Sequence, residues 1–108
     1  MAKLPLNSEK ITKPAPNHAA LLAELFTVEN NPKEMEGLIT DLFTPSERKE
    51  LWERWSIVDM LFCGSSQREI RDTLKVSISK VTRGSHELQN GTGAFRRFWE
   101  KMQKTKKN

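Results

Sequence analysis

Cys63 is the only cysteine, which excludes an intramolecular disulfide and fits a reducing cytoplasm. At the end of an apolar stretch, it reads as a small buried hydrophobe. No run of about 18 apolar residues occurs, so no transmembrane helix is expected. The N-terminal segment carries Lys3, Lys10 and Lys13 but lacks the uninterrupted apolar core of a secretory signal. No Cys/His/Asp cluster has metal-ligand spacing, and there is no glycine-rich phosphate loop. The two histidines, His18 and His86, have no nucleophilic Ser or Cys partner suggested by spacing, so the sequence reads as a non-enzyme without catalytic residues, metal or catalytic cofactor. Internal repeats and extended low-complexity segments are missing too. At 108 residues the chain is one small domain that can bury only a modest core by itself.

What is present is charge and helical periodicity. Lys and Arg number 18 against 14 Asp and Glu, a net charge of +4 with a pI near 9.4. The most informative stretch runs from Ser66 to Ser85. Ser66 can cap a helix, and Glu69 three residues later completes a capping box. Ile70 and Leu74 stand four apart and give that helix an apolar side, with Gln67, Arg68 and Arg71 opposite. Lys75-Val76-Ser77 reads as a turn, and Ser77 as the cap of a second helix from Ile78. Ile78 and Val81 would supply its inner side, leaving Ser79, Lys80 and Thr82 outward near its start. Short polar and basic residues at the N-terminal end of a helix suit base edges in a major groove. The pattern is that of a helix-turn-helix at about 66–90, although a charged surface αα-hairpin has the same periodicity.

The remaining chain is helical by the same criteria. Residues 1–16 contain three prolines and three lysines and read as a flexible N-terminal arm. Leu21, Leu22, Leu25 and Phe26 form the stripe of a first helix, which Glu29-Asn30-Asn31-Pro32 terminates. Lys33 to Leu42 gives a second helix. Thr44-Pro45-Ser46-Glu47 is a compact start for a third, running to about Cys63 before Gly64. That helix is apolar on more than one side, as befits the centre of a dimer. After Gly91-Thr92-Gly93, Phe95, Phe98, Trp99 and Met102 mark a last helix from Ala94 to about Lys104. Its stripe has few partners left within the chain, so it is expected to pack on a second subunit.

Four segments in the same order resemble the Trp repressor family: Leu42 to Arg48, Arg54 with Ile57-Val58, Ser66-Gln67-Arg68-Glu69, and Ile78 to Ser85 ending in Thr82-Arg83-Gly84-Ser85. They span roughly residues 38–90. The resemblance implies an all-α fold: a six-helix helix-turn-helix domain over residues 17–105, forming an intertwined homodimer. It implies a cytoplasmic, sequence-specific repressor that binds double-stranded operator DNA, with L-tryptophan as corepressor. Family members bind their ligand between two arginines, matched here by Arg54 and Arg83. Thr44 matches a hydroxyl that holds the carboxylate from the other subunit, and Val58 and Gly84 match pocket-lining positions. Glu87 stands where a small hydroxyl residue adjoins the ligand ammonium. A carboxylate there could pair with the ammonium, or repel the ligand carboxylate and favour a decarboxylated amine. Gln67, Arg68 and Arg71 would contact mainly phosphates, with Ile78, Ser79, Lys80 and Thr82 nearest the bases. Lys75 occupies a turn position where glycine is common in the family, so a positive φ is expected to be strained there. The alternative reading is a helix-turn-helix protein with a degenerate pocket that binds DNA without this ligand, or with another.

Overall fold

The computed structural model describes residues 15–107, so positions 1–14 of the expected N-terminal arm lie outside the described residues. Among the described residues there are six helices and no strand. They are α1 (His18–Thr27), α2 (Pro32–Leu42), α3 (Pro45–Phe62), α4 (Gln67–Leu74), α5 (Ile78–Asn90) and α6 (Ala94–Lys107). They fall into two compact units, one ending at Leu42 and one beginning at Phe43.

In the first unit the helix starts are set by asparagine. The Asn17 side chain accepts from the Ala20 backbone N–H at 3.1 Å and opens α1. Asn31 Oδ1 accepts from the Lys33 and Glu34 N–H groups at 2.8 and 3.2 Å, satisfying donors that α2 leaves unpaired. Pro32, read from sequence as the stop of α1, is thus the first residue of α2. A proline has no N–H to lose in a first helical turn, so the two roles are compatible.

In the second unit, two reciprocal capping boxes fix the helices that matter for function. Thr44 Oγ1 accepts from Glu47 N–H at 3.1 Å while Glu47 Oε1 accepts from Thr44 N–H at 2.9 Å, starting α3. Ser66 and Glu69 repeat the arrangement at 3.1 and 2.8 Å to start α4. Ser77 Oγ accepts from Lys80 N–H at 3.2 Å and starts α5. Each cap contributes about 1 kcal/mol to its helix.

The core is the point where α3, α4 and α5 meet. Ile57, Ile70 and Val81, one from each helix, are at most 1% exposed. Met60, Leu61, Leu74 and Val76 close around them. Ile78 is 43% exposed, against the expectation that it lies on the inner side of α5. As the first helical residue it sits ahead of the turn that Val81 presses into the core.

Two further expectations are corrected. Cys63 is exposed: it is the residue after the last turn of α3, where its N–H bonds to the Asp59 carbonyl and the chain turns away at Gly64 (φ 93°). The stripe of α6 is also partly covered within its own chain. Trp99 Nε1 donates to Asp59 Oδ1 at 2.7 Å, the Trp99 and Phe62 rings lie 5.0 Å apart, and Phe95 meets Trp55 edge-on at 6.2 Å. Asp59 and Phe62 follow Trp55 by four and seven residues, so one edge of α3 receives one edge of α6. Phe98 and Met102, on the other edge, remain 59% and 42% exposed, as do Trp52 (66%) and Leu51 (43%) on α3.

The turn between α4 and α5 rests on Lys75, the one non-glycine residue with positive φ among those described (φ 57°, ψ 46°). A side chain with a Cβ adopts this conformation at a cost of about 1–2 kcal/mol, which glycine does not incur. Lys75→Gly is therefore expected to raise stability by about 0.5–1 kcal/mol, after the added freedom of the unfolded chain is deducted. Urea denaturation of the two proteins measures this directly.

Candidate functional site

The close approach of α5 to α3 depends on a missing side chain. A Cβ on Gly84 would stand 2.8 Å from Cγ2 of Ile57, which is 1% exposed and has no room to withdraw. A glycine in a helix interior costs about 1 kcal/mol relative to alanine, and here it permits the packing that shapes a pocket. The resulting cavity, about 480 Å³, is lined by α3 and α5, with Phe95 of α6 at one side. That volume is ordinary for a small-molecule site.

Five of the six residues matched to a ligand site line this one cavity. Arg54 and Val58 come from α3; Arg83, Gly84 and Glu87 come from α5. Thr44 does not line it: its hydroxyl caps α3. Val58 is 1% exposed and, with Ile57, gives the cavity an apolar wall. The two arginines are exposed, one on each helix, and among the described residues neither enters an ion pair. A guanidinium can stack on an aromatic face and fork onto a carboxylate, so two of them across an apolar slot suit a flat, anionic or zwitterionic ligand. Glu87 adds a carboxylate to the same wall.

Sequence reasoning missed the remaining charges of the cavity. Lys80 Nζ donates to Glu50 Oε1 at 3.1 Å and to Glu53 Oε1 at 3.2 Å, both on α3, and Glu53 is shared with Lys49. Donation to Glu50, and then to Glu53, holds the Lys80 ammonium above the ordinary lysine pKa. Bonds from Lys49 and then Lys80 hold the Glu53 carboxyl below the usual carboxylate range. Lys80, expected to face outward near the start of α5, is 43% exposed, and its ammonium is engaged with Glu50 and Glu53 of α3. The only sequence signal was the pair Glu50 and Glu53 at i, i+3, without indication of what it faced.

The other residues matched to DNA contact occupy the outer part of α4 and α5. Gln67, Arg68, Ile78 and Ser79 are exposed in the first turns of their helices. Thr82 Oγ1 donates to Gln67 Oε1 at 3.2 Å, joining the two helices of the motif. Arg71 Nε donates to Asp72 Oδ1 at 2.8 Å, an ion pair that raises the arginine pKa and lowers that of Asp72. The exposed N-terminal turn of α5, braced by α4, has the form with which a recognition helix enters a major groove.

Among the described residues, no group of three or more His, Cys, Asp or Glu side chains could hold a metal ion. None of the described helices is long and apolar enough to cross a membrane. A family model described as Trp repressor protein matches residues 17–103. The Trp operon repressor homolog of Vibrio parahaemolyticus is 39% identical over 74 residues, covering 68% of this chain and 72% of that protein. Its counterpart in Vibrio campbellii is 45% identical over 65 residues, 59% of this chain and 63% of the relative. That of Vibrio cholerae is 48% identical over 56 residues, 51% and 54% respectively. No solved structure matches the chain.

Proposed function

The chain belongs to the Trp repressor family, and from that premise we propose that it is a sequence-specific transcriptional repressor whose operator binding is switched on by L-tryptophan. It acts in the cytoplasm on double-stranded DNA as an intertwined homodimer. Residues 17–105 form the helical domain.

The observation that carries the ligand reading is the placement of Arg54 and Arg83 on different helices around one cavity. α5 is also the helix that reads DNA, so a ligand gripped by both arginines fixes the reading helix against α3. The indole lies on the apolar wall of Val58 and Gly84 between the guanidinium planes, and the carboxylate pairs with an arginine. Thr44 of the second copy adds a hydroxyl to the carboxylate, and Glu87 receives the ammonium. The gating is a population shift: the ligand binds better to the arrangement in which both reading helices match successive major grooves. For helix-turn-helix dimers, Trp repressors among them, the two grooves are about 34–36 Å apart. Gln67, Arg68 and Arg71 hold phosphates, while Ile78, Ser79, Lys80 and Thr82 meet the bases.

Calorimetric titration with L-tryptophan tests this, with tryptamine and indole-3-propionate as controls. Saturable binding near one ligand per chain is the expected result. Binding of tryptamine alone would assign the pocket to a decarboxylated amine through Glu87. No heat from any of the three, at two temperatures, would leave a ligand-independent DNA-binding protein.

A further inference from the structure

Lys80 stands at the N-terminal turn of α5, the part of the motif that approaches DNA, yet its ammonium is held at the surface by Glu50 and Glu53 of α3. Those two carboxylates belong to α3 and lie one helical turn apart, so together they form a two-pronged acceptor. The glutamates are differently placed: the Glu50 side chain is 42% exposed, whereas Glu53 is only 15% exposed and is steadied by a second cation, Lys49. The cluster lines the same cavity as Arg54 and Arg83.

We propose that Glu50 and Glu53 form an autoinhibitory latch, positioning residues that withhold Lys80 from DNA by holding its ammonium on α3. The inference rests on the reading of α4 and α5 as the DNA-binding surface. DNA and the latch compete for one cation: with two of its three N–H donors on Glu50 and Glu53, Lys80 cannot also fork onto a base, and a phosphate drawn to the third donor meets two carboxylates. An exposed ion pair is weak, so the latch lowers affinity without preventing binding.

The test measures binding of the full-length protein, without ligand, to a fluorescently labelled random-sequence duplex over a range of salt concentrations. Four proteins are compared: wild type, E50Q/E53Q, K80Q and the triple variant. Removing two negative charges strengthens DNA binding in any background through the long-range field, and the two proteins that carry K80Q measure that contribution alone. The latch predicts that E50Q/E53Q tightens binding about three- to tenfold more when Lys80 is intact than in the K80Q background. It also predicts that the log affinity against log salt slope steepens by about one, as one more phosphate is neutralised, only where Lys80 is present. Equal tightening in both backgrounds, or none in either, overturns the latch while leaving the DNA-binding reading in place. Failure of all four proteins to bind the duplex at low salt removes the DNA-binding reading, and the latch with it.

Discussion

Replacing Ile70 with alanine is expected to destabilise the protein by about 2–5 kcal/mol, a large share of what holds a small domain together. Ile70 is 0% exposed and is the only fully buried residue of α4, an eight-residue helix too short to persist by propensity alone. It meets Ile57 and Val81, so one truncation removes the contact that seats α4 against both α3 and α5. Small domains have about 5–15 kcal/mol of total stability, and a loss of this size leaves a substantial unfolded fraction near physiological temperature. Chemical denaturation should show the midpoint falling, and DNA binding should fail with it because the braced start of α5 is lost. A change below about 1 kcal/mol would mean that the neighbours collapse into the space, and that the meeting point of the three helices is not the seat of the motif's stability.

The second large effect concerns the ligand. Arg83→Ala should weaken L-tryptophan binding about ten- to hundredfold, because it deletes a charge-assisted hydrogen bond to the carboxylate and one face of the indole sandwich. Arg83→Lys retains the charge but neither the plane nor the fork, so it should restore little. The fold should be largely indifferent to both changes, since Arg83 is exposed and, among the described residues, forms no ion pair. Thermal denaturation separates this result from unfolding. An alanine variant that titrates like the wild type would take Arg83 out of the ligand site.

The residues that sequence could read are those whose partners are close in the chain. Both capping boxes join groups three residues apart, so their letters suffice to place the starts of α3 and α4. The positive φ at Lys75 follows in the same local way from the resemblance's glycine position. Lys80 was legible only as a polar residue at the start of a helix. Its direction is decided by carboxylates 30 and 27 residues earlier, which no local pattern reports. The bond from Trp99 to Asp59 spans 40 residues and likewise assigns one edge of α6 to its own chain. Gly84 lies between these cases. A glycine inside a helical pattern signals a close approach, but only the packed structure identifies Ile57 as what it approaches. The wall of the candidate pocket was therefore readable by resemblance, whereas its ionic lining required the fold.

Ligand gating of a two-fold DNA reader is tested by selection from a randomised duplex pool, run with and without L-tryptophan. Sequencing of the bound fraction is expected to recover a palindromic motif with half-site centres about 10 base pairs apart, strongly enriched only when L-tryptophan is present. The same motif recovered equally without ligand, or no motif in either pool, would contradict it.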